Sequence, residues 1–135
     1  MSVEIVKASI LDVTSIKVKL SHQDSVWLIE YLKRSLFAWT GLVDGKVACV
    51  WGIIAPTVLS TQGYLWLFTT DLIDSHKFLF VRHSQRIVEE MLKIFPRITG
   101  TVFANQPRSI AWLKWLKVNF RAEENGMIHF ELSHG

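Results

Sequence analysis

Apolar and polar positions repeat with two different periods along this chain, and the change of period separates strands from helices. Residues 3–8 alternate with period two, as a strand with one buried face does. Two β-rich runs, 37–43 and 46–54, flank Asp44-Gly45, a pair that tolerates the positive φ angles of a tight hairpin turn. The same reasoning predicts a second hairpin near the C-terminus, around Glu124-Asn125-Gly126.

Helical spacing of apolar residues predicts four helices. They cover 11–20, capped by Asp12 or Ser9, then 26–36, capped by Asp24 or Ser25, then 77–95 and 108–116. The remaining strands are predicted at 64–69, 98–103, 120–123 and 127–132. This order predicts a mixed α/β (α+β) fold in one domain over 1–135. Its central sheet is largely antiparallel, with about six to seven strands flanked by about four helices.

Composition narrows the class of protein. Half of the residues are apolar and six are tryptophan, which excludes disorder, and no apolar run is long enough to span a bilayer. No export signal is visible at the N-terminus, and a single cysteine, Cys49, rules out intrachain disulfides and fits a reducing, cytoplasmic compartment. His129 and His134 lack partners at ligand spacing, so no metal site is predicted. The net charge of +3 is too small to indicate a nucleic-acid partner.

Five segments together resemble the GNAT superfamily of acetyl-CoA-dependent N-acetyltransferases. They are the hairpin 42–52, the strand 64–69, the helix 77–95, the strand with its asparagine at 102–105, and the helix 110–120. The resemblance covers nearly the whole chain and rests on order and spacing rather than on a rigid motif. It implies a GNAT-like fold and, as an expectation, transfer of an acetyl group from acetyl-CoA to an unknown amine or protein acceptor.

A narrower similarity is to small GNAT-like proteins of short-tailed bacteriophages, which lie among internal virion and assembly genes. It rests on 66–71, 105–114 and 126–131. It implies a phage-encoded protein located in the host cytoplasm or associated with the virion. The alternative that this similarity implies is that the protein is a non-catalytic binding or assembly module. Such a module would contact its partner through exposed aromatics such as Trp39, Trp112 and Trp115. The edge of the terminal hairpin also predicts a homodimer.

The resemblance implies which residues hold acetyl-CoA. The predicted cofactor-binding residues are Leu67, Phe68, Thr69, Lys77, Arg82 and Asn105. The family's glycine-rich phosphate turn has no counterpart here, because the strand runs into a turn that contains Asp71 and Asp74. The alternative is an ordinary helix cap made by Asp74 or Ser75, and Asn105 equally fits a helix cap.

The sequence matches the family least well at the catalytic groups. The family's general-acid tyrosine falls on Trp115 or Leu113, depending on the register, and neither supplies a phenol. Candidate general bases are Asp71 and Glu30, followed by His83 and His76. The alternative for each is a structural or solvent-facing side chain.

Overall fold

The computed structural model of the chain describes residues 3–12, 22–57 and 59–133. Within them, seven strands form one sheet in the order β1-β2-β3-β4-β5-β7-β6. The strands are β1 Val3–Lys7, β2 Ser35–Val43, β3 Lys46–Ile54, β4 Gln62–Thr69, β5 Arg97–Phe103, β6 Asn119–Glu124 and β7 Met127–Ser133. Every neighbouring pair is antiparallel except β4 and β5, which run parallel. The predicted fold class is confirmed.

A first helix begins at residue 10, of which residues 10–12 are described. Ser9 Oγ accepts from Asp12 N at 3.3 Å and Asp12 Oδ2 accepts from Ser9 N at 2.8 Å, so the pair forms a reciprocal capping box. Residues 13–20 of this predicted helix lie outside the described part of the chain. Three α-helices follow and a short 3₁₀ helix precedes the second of them. They are α1 His22–Arg34, the 3₁₀ helix Asp71–Ser75, α2 Lys77–Ile94 and α3 Pro107–Trp115.

Both predicted hairpins are confirmed by backbone conformation. Asp44 and Gly45 have φ of 49° and 79°, and Asn125 and Gly126 have 52° and 78°. Positive φ at both central residues twists a two-residue turn in the sense of the flanking strands. These short connections place β2 beside β3 and β6 beside β7.

Apolar clusters lie on both faces of the sheet. On one face, α2 and α3 pack Phe80, Met91 and Leu113 against the strands and form the larger apolar cluster. On the other face, Leu28 of α1 packs with Val50 and Trp66 in a smaller cluster. Because side chains alternate along a strand, successive residues of β4 serve the two clusters in turn. Of the described helices, none is long and apolar enough to cross a membrane.

Two predicted boundaries around α1 are wrong. Asp24 and Ser25 lie inside the helix, which starts at His22, and Leu36 belongs to β2. Ser35 Oγ donates to the carbonyl oxygen of Tyr31 at 2.7 Å, and Ser35 pairs with Ile54 of β3. The apolar spacing of α1 runs on into Leu36, but pairing with β3 determines where the strand begins.

Candidate functional site

The parallel pair β4 and β5 separates before either strand ends. Their ladder runs from Gln62 opposite Arg97 to Leu65 opposite Gly100, although β4 continues to Thr69 and β5 to Phe103. The two strands therefore diverge as a V beyond Leu65. An opening between neighbouring strands exposes main-chain groups that the ladder would otherwise use.

The direction of those main-chain groups follows from the pairing of β4 with β3. Thr70 N donates to Ala48 O at 2.8 Å on the β3 side. Because the N–H and C=O of successive residues point to opposite sides of a strand, those of Leu67 and Thr69 face the opening. Main-chain donors and acceptors of β4 thus line one side of the V.

A cavity of about 100 Å³, which we call the V cavity, occupies this opening. Leu67 lines it from the α2/α3 side of the sheet, and Trp66 and Phe68 line it from the α1 side. The cavity therefore lies between the two faces rather than on one of them.

Aromatic side chains from α1 and β4 form one wall of the V cavity. The Tyr31 ring lies 6.1 Å from the rings of Tyr64 and of Trp66, measured between centroids. Trp66 Nε1 donates to Ser35 Oγ at 2.7 Å, and Tyr64 Oη is hydrogen-bonded to Thr101 Oγ1 at 2.5 Å. These bonds hold the wall in place and join β4 to β5 where their ladder ends.

The V cavity is polar in places but carries no formal charge among the described residues. Its polar side chains are Tyr31, Tyr64, Thr101, Gln106 and Ser109. Ser109, in the first turn of α3, is buried and lies 3.4 Å from Thr69 by their hydroxyl oxygens. The pKa of Tyr31 is raised, chiefly because the side chain is partly buried. Its charge interaction and its hydrogen bond with Tyr64 raise the pKa further. The Tyr31 phenol therefore stays protonated at neutral pH and acts as a hydrogen-bonding group rather than a base.

A second depression, the helix groove, lies between the start of α2 and α3 and has a volume of about 280 Å³. The exposed rings of Phe78 and Trp115 meet edge to face with centroids 5.3 Å apart, and Lys77 Nζ lies 5.5 Å from the Phe78 centroid. Arg108 donates from Nε to both carboxylate oxygens of Asp74, at 2.9 and 3.1 Å. Hydrogen bonding to Arg108 lowers the pKa of Asp74, so this carboxylate is ionised and paired.

The start of α3 connects the two depressions. Gln106 and Ser109 line the V cavity, whereas Pro107 and Arg108 line the helix groove. One helical turn therefore presents uncharged groups to the cavity and a cation to the groove. Among the described residues, no group of three or more histidine, cysteine or carboxylate side chains is placed to hold a metal ion.

No family model matches the sequence, and no curated protein matches it. Solved structures match over almost its full length. A GNAT-family acetyltransferase from Streptococcus pneumoniae has a TM-score of 0.69 at 13% identity, covering 99% of this chain and 100% of that chain. The chain has the GNAT fold.

Two further structures share it. The ribosomal-protein-S5-alanine acetyltransferase from Vibrio fischeri has a TM-score of 0.65 at 15% identity, over 98% of this chain and 93% of that chain. The N-acetyltransferase PseH from Campylobacter jejuni, solved in complex with acetyl coenzyme A, has 0.59 at 12% identity, over 99% and 100%. Likeness at this level of identity establishes the fold and leaves the activity to be argued from the site.

The GNAT fold brings some of the predicted cofactor residues together. Leu67 and Phe68 line the V cavity, Thr69 is buried beside Ser109, and Lys77 lines the helix groove. Arg82 is exposed on α2 and Asn105 is exposed in the turn before α3, and neither lines either depression. The roles of these residues stay predictions.

The candidate bases lie outside the V cavity. Glu30 is exposed on α1 and Asp71 is exposed in the 3₁₀ helix. His83 is half-buried on α2, and His76 occupies the N-cap of α2, where its Nδ1 lies 2.8 Å from Ser75 Oγ. Neither register supplies a general acid, because Leu113 is fully buried and Trp115 lies in the helix groove.

The caps predicted for α2 and α3 are wrong. The N-cap of α2 is His76 and that of α3 is Gln106, and neither makes a side-chain capping bond. Asp74 pairs with Arg108 instead, and Ser75 Oγ donates to Leu72 O at 3.3 Å.

Sequence reasoning assigned no role to the polar side chains that line the cavity, of which Tyr31, Tyr64 and Ser109 are the main ones. The apolar spacing of α1 and the alternation of β4 indicate that both tyrosines are buried, but not that they meet. Trp112, predicted as an exposed aromatic for a partner, is buried in the core, so that part of the prediction is wrong. The narrower resemblance to phage proteins, the assembly role, the cytoplasmic or virion location and the homodimer stay predictions.

Proposed function

We propose that this protein is an N-acyltransferase that moves an acetyl group from acetyl-CoA to an amine. The observation that carries the proposal is the V cavity, which opens between β4 and β5 where their ladder stops. A filled gap would leave no room for a thioester and an amine to meet. The acetyltransferases that share the fold, one of them solved with acetyl coenzyme A, add to the support.

The chain's own residues fit acetyl-CoA in three respects. The main-chain groups of Leu67 and Thr69 face the opening and match the amides of a pantetheine arm, as an added strand would. Lys77 and Arg108 supply cations for phosphates in the helix groove. Phe78 and Trp115 offer exposed rings against which an adenine can stack.

When bound, acetyl-CoA supplies a thioester whose carbonyl carbon bonds to the amine nitrogen as the C–S bond breaks, with one proton leaving nitrogen and one reaching sulfur. The neighbouring hydroxyls of Ser109 and Thr69 would serve as hydrogen-bond donors to the departing thiolate. The cavity's described lining has no carboxylate or imidazole, and water would accept the amine proton there. Tyr31 and Tyr64 orient the amine with their phenols.

Calorimetric titration with acetyl-CoA tests the proposal directly. We expect saturable heat with a dissociation constant in the micromolar to millimolar range, and release of CoA thiol when amines are added. Ser109→Leu places a larger side chain in the V cavity and should abolish acetyl-CoA binding. Ser109→Ala removes only the hydroxyl and should retain binding. The absence of heat and of any thermal shift at millimolar acetyl-CoA would refute the proposal.

A further inference from the structure

A third depression, the sheet groove, lies over β5, β7 and β6 on the same side as the tyrosines. Its volume is about 260 Å³. On β5, Arg97, Thr99 and Thr101 point to this side, and by register Thr99 stands opposite Glu131 of β7. Tyr64 and Thr101 line both the sheet groove and the V cavity. The two depressions therefore meet at the hydrogen bond between Tyr64 and Thr101.

The sheet groove is charged where the V cavity is not. Arg97 donates from Nε to Glu131 Oε1 at 2.9 Å and from Nη2 to Oε2 at 3.1 Å. Arg121 Nη2 lies 3.5 Å from the same Oε2. Two guanidinium groups therefore share one carboxylate, which leaves one positive charge in excess.

The exposure of these side chains decides which group faces an incoming ligand. The side chains of Arg97 and Arg121 are 55% and 60% exposed, whereas that of Glu131 is 16% exposed. The carboxylate thus lies beneath the two cations and orients them. Each guanidinium has five N–H donors in a planar fork, and the bonds to Glu131 occupy only part of each fork.

We propose that the sheet groove binds the anionic end of the acyl acceptor, which is an amine that also carries a carboxylate. The amine enters the V cavity and the carboxylate bonds to Arg97 and Arg121. This inference rests on the proposed function, because the V cavity is where the amine reacts. A planar guanidinium recognises a carboxylate through two parallel hydrogen bonds, which a lysine does not provide.

The strand geometry sets the length of the acceptor. Thr101 borders the V cavity and Thr99 stands opposite Glu131, two residues away and roughly 7 Å along the strand. The amine and the carboxylate should therefore lie roughly 7–10 Å apart, as they do in a linear ω-amino acid of lysine length. A free amino acid and the C-terminal lysine of a peptide present this same chemistry.

Paired acceptors give the test. We expect kcat/KM for 6-aminohexanoate to exceed that for hexylamine on the order of tenfold, the size expected for one charge-assisted contact. Shorter ω-amino acids such as 4-aminobutanoate should lose this advantage. A peptide that ends in lysine, compared with its C-terminal amide, distinguishes a peptide acceptor from a free amino acid. Equal kcat/KM for the acid and the amine would overturn the inference.

Substitutions distinguish binding by the two arginines of the sheet groove from a general effect of positive charge on the protein. Arg97→Met and Arg121→Met should each lower kcat/KM for 6-aminohexanoate towards that for hexylamine. Arg86→Met, an exposed cation on α2, removes the same charge elsewhere and should keep the preference. A preference that survives both substitutions in the sheet groove would contradict the inference.

Equilibrium binding distinguishes failure of this inference from failure of the proposed function. Binding of 6-aminohexanoate to the protein alone, followed by NMR line broadening, does not require acetyl-CoA. Broadening that Arg121→Met abolishes and Arg86→Met keeps would support the subsite even if acetyl-CoA does not bind. Broadening that is absent, or equal in all three proteins, would refute it.

Discussion

The Asp74 carboxylate accepts two contacts from Nε of Arg108, at 2.9 and 3.1 Å, and so joins the 3₁₀ helix to α3 across the helix groove. Arg108 is the largest cause of the lowered pKa of Asp74, and Asp74 in turn raises the pKa of Arg108. Negative charge beside the expected phosphate position is therefore matched by a cation from another element.

The pair predicts that Asp74→Asn strengthens acetyl-CoA binding several-fold. The substitution releases the Arg108 guanidinium for a phosphate and removes a repulsive charge. Arg108→Met should weaken binding, and the double variant should resemble Arg108→Met rather than the sum of the two. Calorimetry at two salt concentrations measures the effect, which should shrink as salt rises.

Glu90→Gln is the matched control for Asp74→Asn. Glu90 forms an exposed ion pair with Lys93 at 3.0 Å on α2, so its substitution changes net charge equally outside the helix groove. Its acetyl-CoA affinity should equal that of the unmodified protein. Weaker binding in Asp74→Asn would indicate that the pair helps to build the site.

Tyr31 predicts a pH dependence at the alkaline end. Its folded pKa is raised above the ordinary 10.0, chiefly by burial, so the folded state retains a proton that the unfolded state loses. The resulting stabilisation is fully present below pH 10 and is lost as pH rises through the folded pKa. Since the chain has two tyrosines, Tyr64→Phe leaves Tyr31 as the only phenol to titrate by ultraviolet absorbance.

In Tyr64→Phe, the pKa of Tyr31 should move down towards 10.0 and remain above it. The contribution of Tyr64 disappears, but burial, the larger cause, persists. The free energy of unfolding, measured with urea across the same pH range, should fall in step with the titration. A Tyr31 midpoint at or below 10.0 in Tyr64→Phe would contradict the packing of the aromatic wall.

Cys49 predicts an unreactive thiol. It is fully buried in β3, and burial raises its pKa far above the usual range of a cysteine. A disulfide reagent such as Ellman's should therefore modify it only when the protein opens, so its rate should follow urea concentration. Cys49→Ala supplies the blank. Rapid modification in native buffer would show that the strand is accessible.

The fourth prediction is that no side chain larger than hydrogen fits at Gly100, at the end of the β4–β5 ladder. A Cβ at this position would overlap the carbonyl oxygen of Leu65 and the ring of Phe130. Gly100→Ala should therefore lower the free energy of unfolding by about 1–3 kcal/mol. Urea denaturation measures the change, and Ala104→Ser in the exposed turn should stay within about 0.5 kcal/mol of the unmodified protein. Equal midpoints for all three proteins would contradict the close approach.

The fold was predictable because its signals are local. Asp44-Gly45 and Asn125-Gly126 specify two hairpins from neighbouring residues alone, and the 3.6-residue period of α2 needs no partner to be recognised. The misplaced end of α1 marks the limit. Leu36 fits the helical spacing, and only its strand's pairing with β3 opposes it.

The site was less predictable because its groups come from distant parts of the chain. Tyr31, Tyr64 and Ser109 lie on α1, β4 and α3, and no periodicity connects them. The pairing of Asp74 with Arg108, 34 residues apart, is likewise a tertiary event. The turn composition indicates two aspartates near the phosphate position but cannot reveal that one of them is neutralised from another helix.

The short ladder between β4 and β5 also has a consequence for how the molecule unfolds. Within the described parts of the chain, the strand pairs from Gln62–Arg97 to Leu65–Gly100 are the ones that connect β1–β4 with β5, β7 and β6. We expect amide exchange to be faster at this seam than inside either half of the sheet, because few main-chain hydrogen bonds cross it. A ligand bound in the opening would contact both β4 and β5 and should therefore slow amide exchange in both halves of the sheet.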